Sequence, residues 1–180
     1  DKLPKHMEVL ELDKILRFVK KSKHKAADGK EHGQYRFFTS SNIQSKFIDK
    51  FDFQGEYLIF GTGGDASIHY CYDRFSTTAD CLVAQVVKPS IFTKYIHYYL
   101  TYNIHLLKAG FRGAGLKHIS KSYIRRIKII VPKNKETQKR IVTVLEKAEQ
   151  LKDWRRESDK LLGDYLNSVF LDMFGDPIRN

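Results

Sequence analysis

Residues 136–173 read ETQKRIVTVLEKAEQLKDWRRESDKLLGDYLNSVFLDM, and this stretch decides the architecture. It contains no proline, a single glycine (Gly163), and a high density of Lys, Glu, Arg and Leu. Strong helix formers in so long an unbroken run define one extended α-helix. One face carries Ile141, Leu145, Ala148, Leu162, Leu166, Val169 and Met173, spaced alternately by three and four wherever the stripe is apolar. That is a heptad-like seam, interrupted in the middle by Lys152, Arg155 and Asp159. A helix of roughly 38 residues extends about 57 Å. A domain of this size cannot cover it, so the seam requires a partner helix, a homodimer through a second copy being one way to supply it. Two shorter helices hinged near residues 157–160 are the alternative.

The charge divides at the same place. The chain of 180 residues has 32 Lys/Arg and 21 Asp/Glu, a formal charge of +11. Residues 136–180 hold 8 basic and 9 acidic residues, a charge of −1. Residues 1–135 hold the other 24 basic and 12 acidic residues, a charge of +12. The expected organisation is therefore a basic domain, 1–135, followed by a near-neutral helical region, 136–180. A domain of that charge attracts polyanions, because each neutralised phosphate releases counterions; a solvated basic surface without a specific partner accounts for the charge equally well. Hydrophobic content is that of an ordinary globular protein. No apolar run approaches the roughly 18 residues that cross a bilayer, and Asp1-Lys2-Leu3-Pro4 lacks the apolar block of a signal peptide. No membrane association and a cytoplasmic location are expected. Cys71 and Cys81 are the only cysteines; they read as reduced core residues and are too few for a four-ligand zinc site.

Within the basic part, residues 7–19 (MEVLELDKILRFV) place Val9, Leu12, Ile15, Leu16 and Val19 at helical spacing, predicting a short amphipathic helix. Residues 20–33 (KKSKHKAADGKEHG) are polar, basic and without period, an exposed loop. Residues 35–39, 56–60, 66–72, 81–87 and 128–131 have the aromatic and β-branched composition of strands, with Gly61-Thr62-Gly63-Gly64-Asp65 as a turn. Residues 90–107 repeat apolar and aromatic side chains at helical spacing, residues 108–117 (KAGFRGAGLK) read as a second loop, and residues 119–124 as a helical turn. The expected fold is α+β, a mixed, largely β domain followed by the long helix.

Several segments in this order resemble the specificity subunit of type I restriction-modification enzymes, one target-recognition domain with its spacer helix. Leu3-Pro4-Lys5, Met7-Glu8-Val9 and Leu12 resemble the family's opening stretch, with His6-Met7 in place of a Gly-Trp pair. Residues 35–42 (YRFFTSSN), 57–64 (YLIFGTGG) and 77–83 (TTADCLV) resemble its strand and turn segments. Residues 95–100 (YIHYYL) are similar to its aromatic helix. Gly113 to Ile119, Tyr123-Ile124 and residues 128–132 (KIIVP) are similar to the end of its recognition domain. Residues 138–145 (QKRIVTVL) and 168–177 (SVFLDMFGDP) resemble the two ends of its spacer. The resemblance implies no catalysis by this chain, no cofactor, and partnership with double-stranded DNA, with methyltransferase (modification) subunits and, through them, a restriction subunit. It also implies that one half of a bipartite site is read here and that the spacer helices pair. Whether the chain is a repeat cut from a two-repeat subunit or a half-size subunit stays open.

The residues support the absence of an active site independently. An adenine methyltransferase needs an Asn/Asp-Pro-Pro-aromatic loop, which is absent, and the Gly61–Gly64 turn leads into a β-like segment rather than a helix. Asp49, Asp52 and Glu56 form no nuclease-like cluster and read as surface groups; the seven histidines lack metal spacing, and His97 and His105 read as helix-surface or packing residues. Groups that contact DNA are expected in the loops: Lys20, Lys23 and Lys25 on phosphates, with Lys21 and Lys30; Ser40, Ser41 and Asn42 on bases or capping a turn; and Lys108, Arg112, Lys117 and His118 in the glycine-rich loop, Arg112 foremost. Tyr95, Tyr98, Tyr99 and Tyr102 read as packing groups rather than a stacking platform. A basic RNA-binding or scaffold protein is the alternative from another class.

Overall fold

The computed structural model describes residues 3–175, and the chain divides into two compact units between Lys139 and Arg140. In chain order the strands are β1 (Met7–Glu11), β2 (Leu16–Phe18), β3 (Tyr35–Phe38), β4 (Lys46–Ile48), β5 (Phe53–Gln54), β6 (Tyr57–Gly61), β7 (Ser67–Cys71), β8 (Arg74–Thr77), β9 (Cys81–Val86), β10 (Phe111–Arg112), β11 (His118–Ile119) and β12 (Lys128–Pro132). The helices are α1 (Thr93–Tyr102), α2 (His105–Lys108), α3 (Lys121–Arg126) and α4 (Lys135–Phe174). The α+β expectation holds.

The first unit is built on two four-stranded sheets, ordered β2-β9-β6-β7 and β4-β3-β8-β5. The first is antiparallel throughout; in the second, β3 and β8 run parallel. Phe38, Phe53 and Phe75 from one sheet and Ile59, Cys71, Cys81 and Val83 from the other form one buried cluster. Phe75 is its centre, edge-on to Phe38 at 5.6 Å and stacked on Phe53 at 5.1 Å, contacts that add to the area each ring buries. Both cysteines are free thiols in this cluster, and burial pushes them above the ordinary thiol pKa.

The helix expected over residues 7–19 does not form. The segment is β1, a single 3-10 turn (Leu12–Lys14), and β2. Of the expected stripe, Leu12, Ile15 and Leu16 are buried, Val19 is half-buried and Val9 is exposed. However, β1 takes its backbone partners from β12, Met7 opposite Pro132 and Glu11 opposite Lys128, and β2 takes its own from β9. Pairing with distant strands outweighs a weak local helical preference. The helix expected over residues 90–107 is broken into α1 and α2, because Asn103 leaves helical geometry and its Nδ2 donates to the Tyr99 carbonyl. The glycine-rich loop contains β10, paired with β11 in register Phe111↔Ile119 and Arg112↔His118. The helical turn near residues 119–124 is α3, capped by Ser120, whose Oγ accepts from the Tyr123 N–H at 3.1 Å.

Gln138, in the first turn of α4, is fully buried. Its side chain accepts from the Phe92 N–H and donates to the Ser90 and Pro132 carbonyls. These three bonds satisfy backbone groups that burial would otherwise leave unpaired. The second unit is the remainder of α4. The helix runs unbroken through residues 157–160, where a hinge was the alternative. Its 40 residues extend about 60 Å. Asp176 and Pro177 of the terminal motif lie outside the described residues.

Candidate nucleic-acid interface

The β6–β7 turn organises one end of the first unit. Gly61, the last residue of β6, sits opposite both Ser67 and Cys81. A Cβ there would collide with Ser67 Oγ and lie 2.9 Å from Ser40 Cα, so only glycine admits the Ser40 backbone at this distance. Ser40 ties three loops together: its Oγ donates to the Asp80 carbonyl and accepts from the Gly63 N–H, while its carbonyl accepts from Ser67 Oγ at 3.0 Å. Thr62 adds two bonds to the same Asp80 carbonyl. A cleft of about 420 Å³ opens over this knot, lined by Ala26, Ser40, Ser41, Asn42, Gly63–Asp65 and Asp80 among others.

Neighbouring loops join the same rim. The β10–β11 hairpin docks on the turn through Gly64 N–H to the Lys117 carbonyl and Ile119 N–H to the Thr62 carbonyl, and the His118 ring lies against Gly63. Lys108 lines a second depression with Asn42 and Asp65. On the other side, the lysine-rich loop is held down by Lys21 Nζ on the Ala79 carbonyl and by Ala79 N–H on the His24 carbonyl. It is pinned further by Ser22 Oγ on Asp52, and His24 stands between Asp28 and Asp52 at 3.5 Å from each.

Of the residues expected from sequence to make contacts, Ser40, Ser41, Asn42, Lys108, Arg112, Lys117 and His118 thus converge on one end. Ser40 Oγ and Ser41 Oγ are engaged locally, the latter accepting from the Ile43 N–H, whereas the Asn42 amide has no hydrogen-bond partner among the described residues. Arg112 Nη1 donates to the Ala109 and Phe111 carbonyls, leaving Nε and Nη2 outside those bonds. Lys20 and Lys23 line a separate depression with Asp52 and Phe53. Lys25 begins the 3-10 turn Ala26–Asp28, whose Ala26 reaches the main cleft. Lys21 is used structurally. Lys30 is neutralised by Asp49 at 2.6 Å, and its ammonium holds the Asp49 carboxyl below the usual range. Glu56 is exposed and accepts from Tyr70 and Thr93, so the carboxylates read as surface groups do lie at the surface, each with a local partner. Tyr95 and Tyr98 are packed, the Tyr95 hydroxyl donating to the Ile130 carbonyl, while Tyr102 is exposed.

Sequence reading missed two cations. Lys121 Nζ and the Arg125 guanidinium both lie over the Phe18 ring, at 5.1 and 6.0 Å, and Lys121 follows directly on the hairpin. Their only signal was a basic helical turn. It also missed part of the α4 seam. At about 100° per residue, Val144, Leu151 and Tyr165 flank the original stripe, Trp154 and Leu161 lie one row further round the helix, and all are exposed. They carry apolar surface across the charged interruption, where Arg155 and Asp159 pair with each other at 4.0 Å.

Among the described residues no group of three or more His, Cys, Asp or Glu is placed to hold a metal ion, and no helix is long and apolar enough to cross a membrane. Residues 4–157 match the family model described as the type I restriction modification DNA specificity domain. The chain belongs to that family. Its fold is similar to that of a type I restriction-modification S subunit from M. genitalium (20% identity, TM-score 0.72, covering 96% of this chain and 50% of that one). It is also similar to a chain from a structure addressing complex assembly and conformational transition of the type I R-M system (18%, 0.67, 96% and 46%). The HsdS subunit of Thermoanaerobacter tengcongensis matches over less of its length (18%, 0.56, 84% and 39%). The chain therefore spans half or less of each of these solved subunits. No curated protein matches.

Proposed function

We propose that residues 1–135 read one half of a bipartite duplex DNA site within the specificity subunit of a type I restriction-modification system. In this reading the chain directs methylation and cleavage by modification and restriction subunits and supplies no catalytic group. The observation that carries it is that Asn42 in the polar cleft, Lys108 in the adjoining depression, and the hairpin of Arg112, Lys117 and His118 docked on the Gly63–Gly64 turn lie at one end of a strongly basic unit. Asn matches the N6/N7 edge of adenine, Arg the O6/N7 edge of guanine, and a carboxylate such as Asp65 or Asp80 accepts from the cytosine amine. Lys20, Lys23, Lys25 and Lys121 are suited to phosphates, which fix register without reading sequence, whereas Arg125 is paired with Asp13 at 3.1 Å. Ser40 and Ser41 hold the turn that presents Asn42.

Residues 136–180 act in this reading as the spacer. The seam pairs with a second spacer helix, from another repeat or another copy, and the rigid helix sets the distance between half-sites. Titration at matched salt against a duplex carrying the selected site, a random duplex and single-stranded RNA tests the reading. The selected duplex should bind at least about a thousandfold more tightly than the random one. Equal or tighter binding of RNA would overturn it.

A further inference from the structure

Leu116 is 74% exposed, more than any other large apolar residue of the first unit. It sits near the tip of the β10–β11 hairpin, and both strands of that hairpin are anchored: Phe111 and Ile119, directly opposite each other, are buried. Gly113 has φ +140°, and a Cβ there would lie 2.7 Å from the Leu116 carbonyl oxygen, so the tip is a tight turn that glycine makes available. Gly115 has open space around it. The backbone at Lys117 is fixed to Gly64. Leu116 is consequently held in water by a braced turn, at the rim of the cleft, between Arg112, Lys117 and His118.

A lone exposed leucine is common on protein surfaces, and the surroundings distinguish this one. Tyr72, comparably exposed at 70%, follows the far end of β7 from Ser67 and lies away from the cleft. Leu116 is the apolar member of a cationic hairpin. Cations draw the hairpin to a polyanion, and an apolar tip then meets the parts of a duplex that are not charged: the thymine methyl in the major groove or the faces of a base step. Resting on the reading above, we infer that Leu116 is a specificity-determining residue that makes apolar contact with bases of the half-site.

The test uses the complete specificity subunit assembled with its modification subunits. Duplexes are first enriched from a random library by the parent complex. Leu116→Ala should weaken binding to the enriched duplex on the order of tenfold, leave random duplex unchanged, and leave the dependence on log salt unchanged. Leu116→Met should restore binding to within about twofold of the parent, since it conserves apolar volume. Lys117→Ala provides the contrast, weakening all duplexes and reducing the salt slope by about one. A Leu116→Ala complex that discriminates as well as the parent would overturn the inference, as would an equal loss on random duplex. If the parent itself fails to discriminate, the DNA reading falls, and the inference falls with it for a visibly different reason.

Discussion

His69 Nε2 lies 2.7 Å from the carbonyl oxygen of Ser41, so a side chain of β7 tethers the turn that presents Asn42. His97, on α1, packs nearby against Tyr70 and Tyr98. Burial pushes both imidazoles below their ordinary value; for His97, burial together with His69 and Lys94 brings the pKa to about 4. The folded state therefore favours the neutral rings, and the unfolded chain takes up protons first as the pH falls. Above the unfolded value of about 6.5 the two histidines leave stability independent of pH. Stability should then decline as the pH drops from about 6.5 towards 4, with His97 accounting for up to about 3 kcal/mol. Urea melts at about pH 7 and about pH 4.5 measure this, and His97→Gln should flatten the difference between them.

The glycines of the rim should separate by what surrounds them. Gly61→Ala places a methyl on Ser67 Oγ and the Ser40 backbone, and overpacking of that kind costs about 1–3 kcal/mol. Gly64→Ala meets no neighbour but has φ +77°, so it should cost about 1–2 kcal/mol of backbone strain alone. Gly115→Ala has neither obstacle and should stay within about 0.5 kcal/mol of the parent. Thermal melts of the three variants would rank them. DNA binding should fail with Gly61→Ala even below its melting temperature, because the Ser40 knot moves.

What was legible in the sequence follows from the range of the forces involved. The strands over residues 57–61 and 81–86 and the long α4 helix were readable, because their apolar runs and helix-forming composition are local properties. The apolar stripe of residues 9–19 does contribute Leu12, Ile15 and Leu16 to the core, but its helical spacing misassigned the backbone, since the partners that made strands of it lie more than 60 residues away. The rim was legible as residue types in loops. Its convergence was not, because the Ser40–Asp80 and Gly64–Lys117 bonds join loops 40 and 53 positions apart and no pattern in either loop encodes the other. The α4 seam was read as broken at Lys152, Arg155 and Asp159 because one narrow stripe was followed; Leu151 lies on its flank, and Trp154 continues that second row.

Arg112 has a double role to separate. Through Nη1 it binds the Ala109 carbonyl at the end of α2 and the Phe111 carbonyl of β10, and in the proposed function its remaining donors read a base. Arg112→Ala should weaken binding to the selected duplex by about 1–3 kcal/mol and relax one position of the site. Arg112→Lys keeps the charge but loses the planar fork, and should recover nonspecific affinity without recovering the preference at that position. Competition binding against a panel of single-position variants of the site measures both. A loss uniform across the panel would assign Arg112 to a phosphate.

If only the stripe of Ile141, Leu145, Ala148, Leu162, Leu166, Val169 and Met173 paired, Lys152, Arg155 and Asp159 would form a gap in the interface. Changes at Leu151 or Trp154 would then leave self-association unaltered. Leu151 and Trp154 are 61% and 56% exposed, and an apolar face this long on an unpartnered helix favours association through area removed from water. Leu151→Ser and Trp154→Ser should each weaken self-association about as much as Leu162→Ser does, by roughly 1–3 kcal/mol. They should leave DNA binding by the first unit within about twofold, since the proposed phosphate and base contacts fall within residues 1–135. Sedimentation equilibrium over a range of chain concentrations gives the association constants. Should Leu162→Ser dissociate the chain while Leu151→Ser and Trp154→Ser do not, the narrow seam is the pairing surface and the flank is solvent-facing.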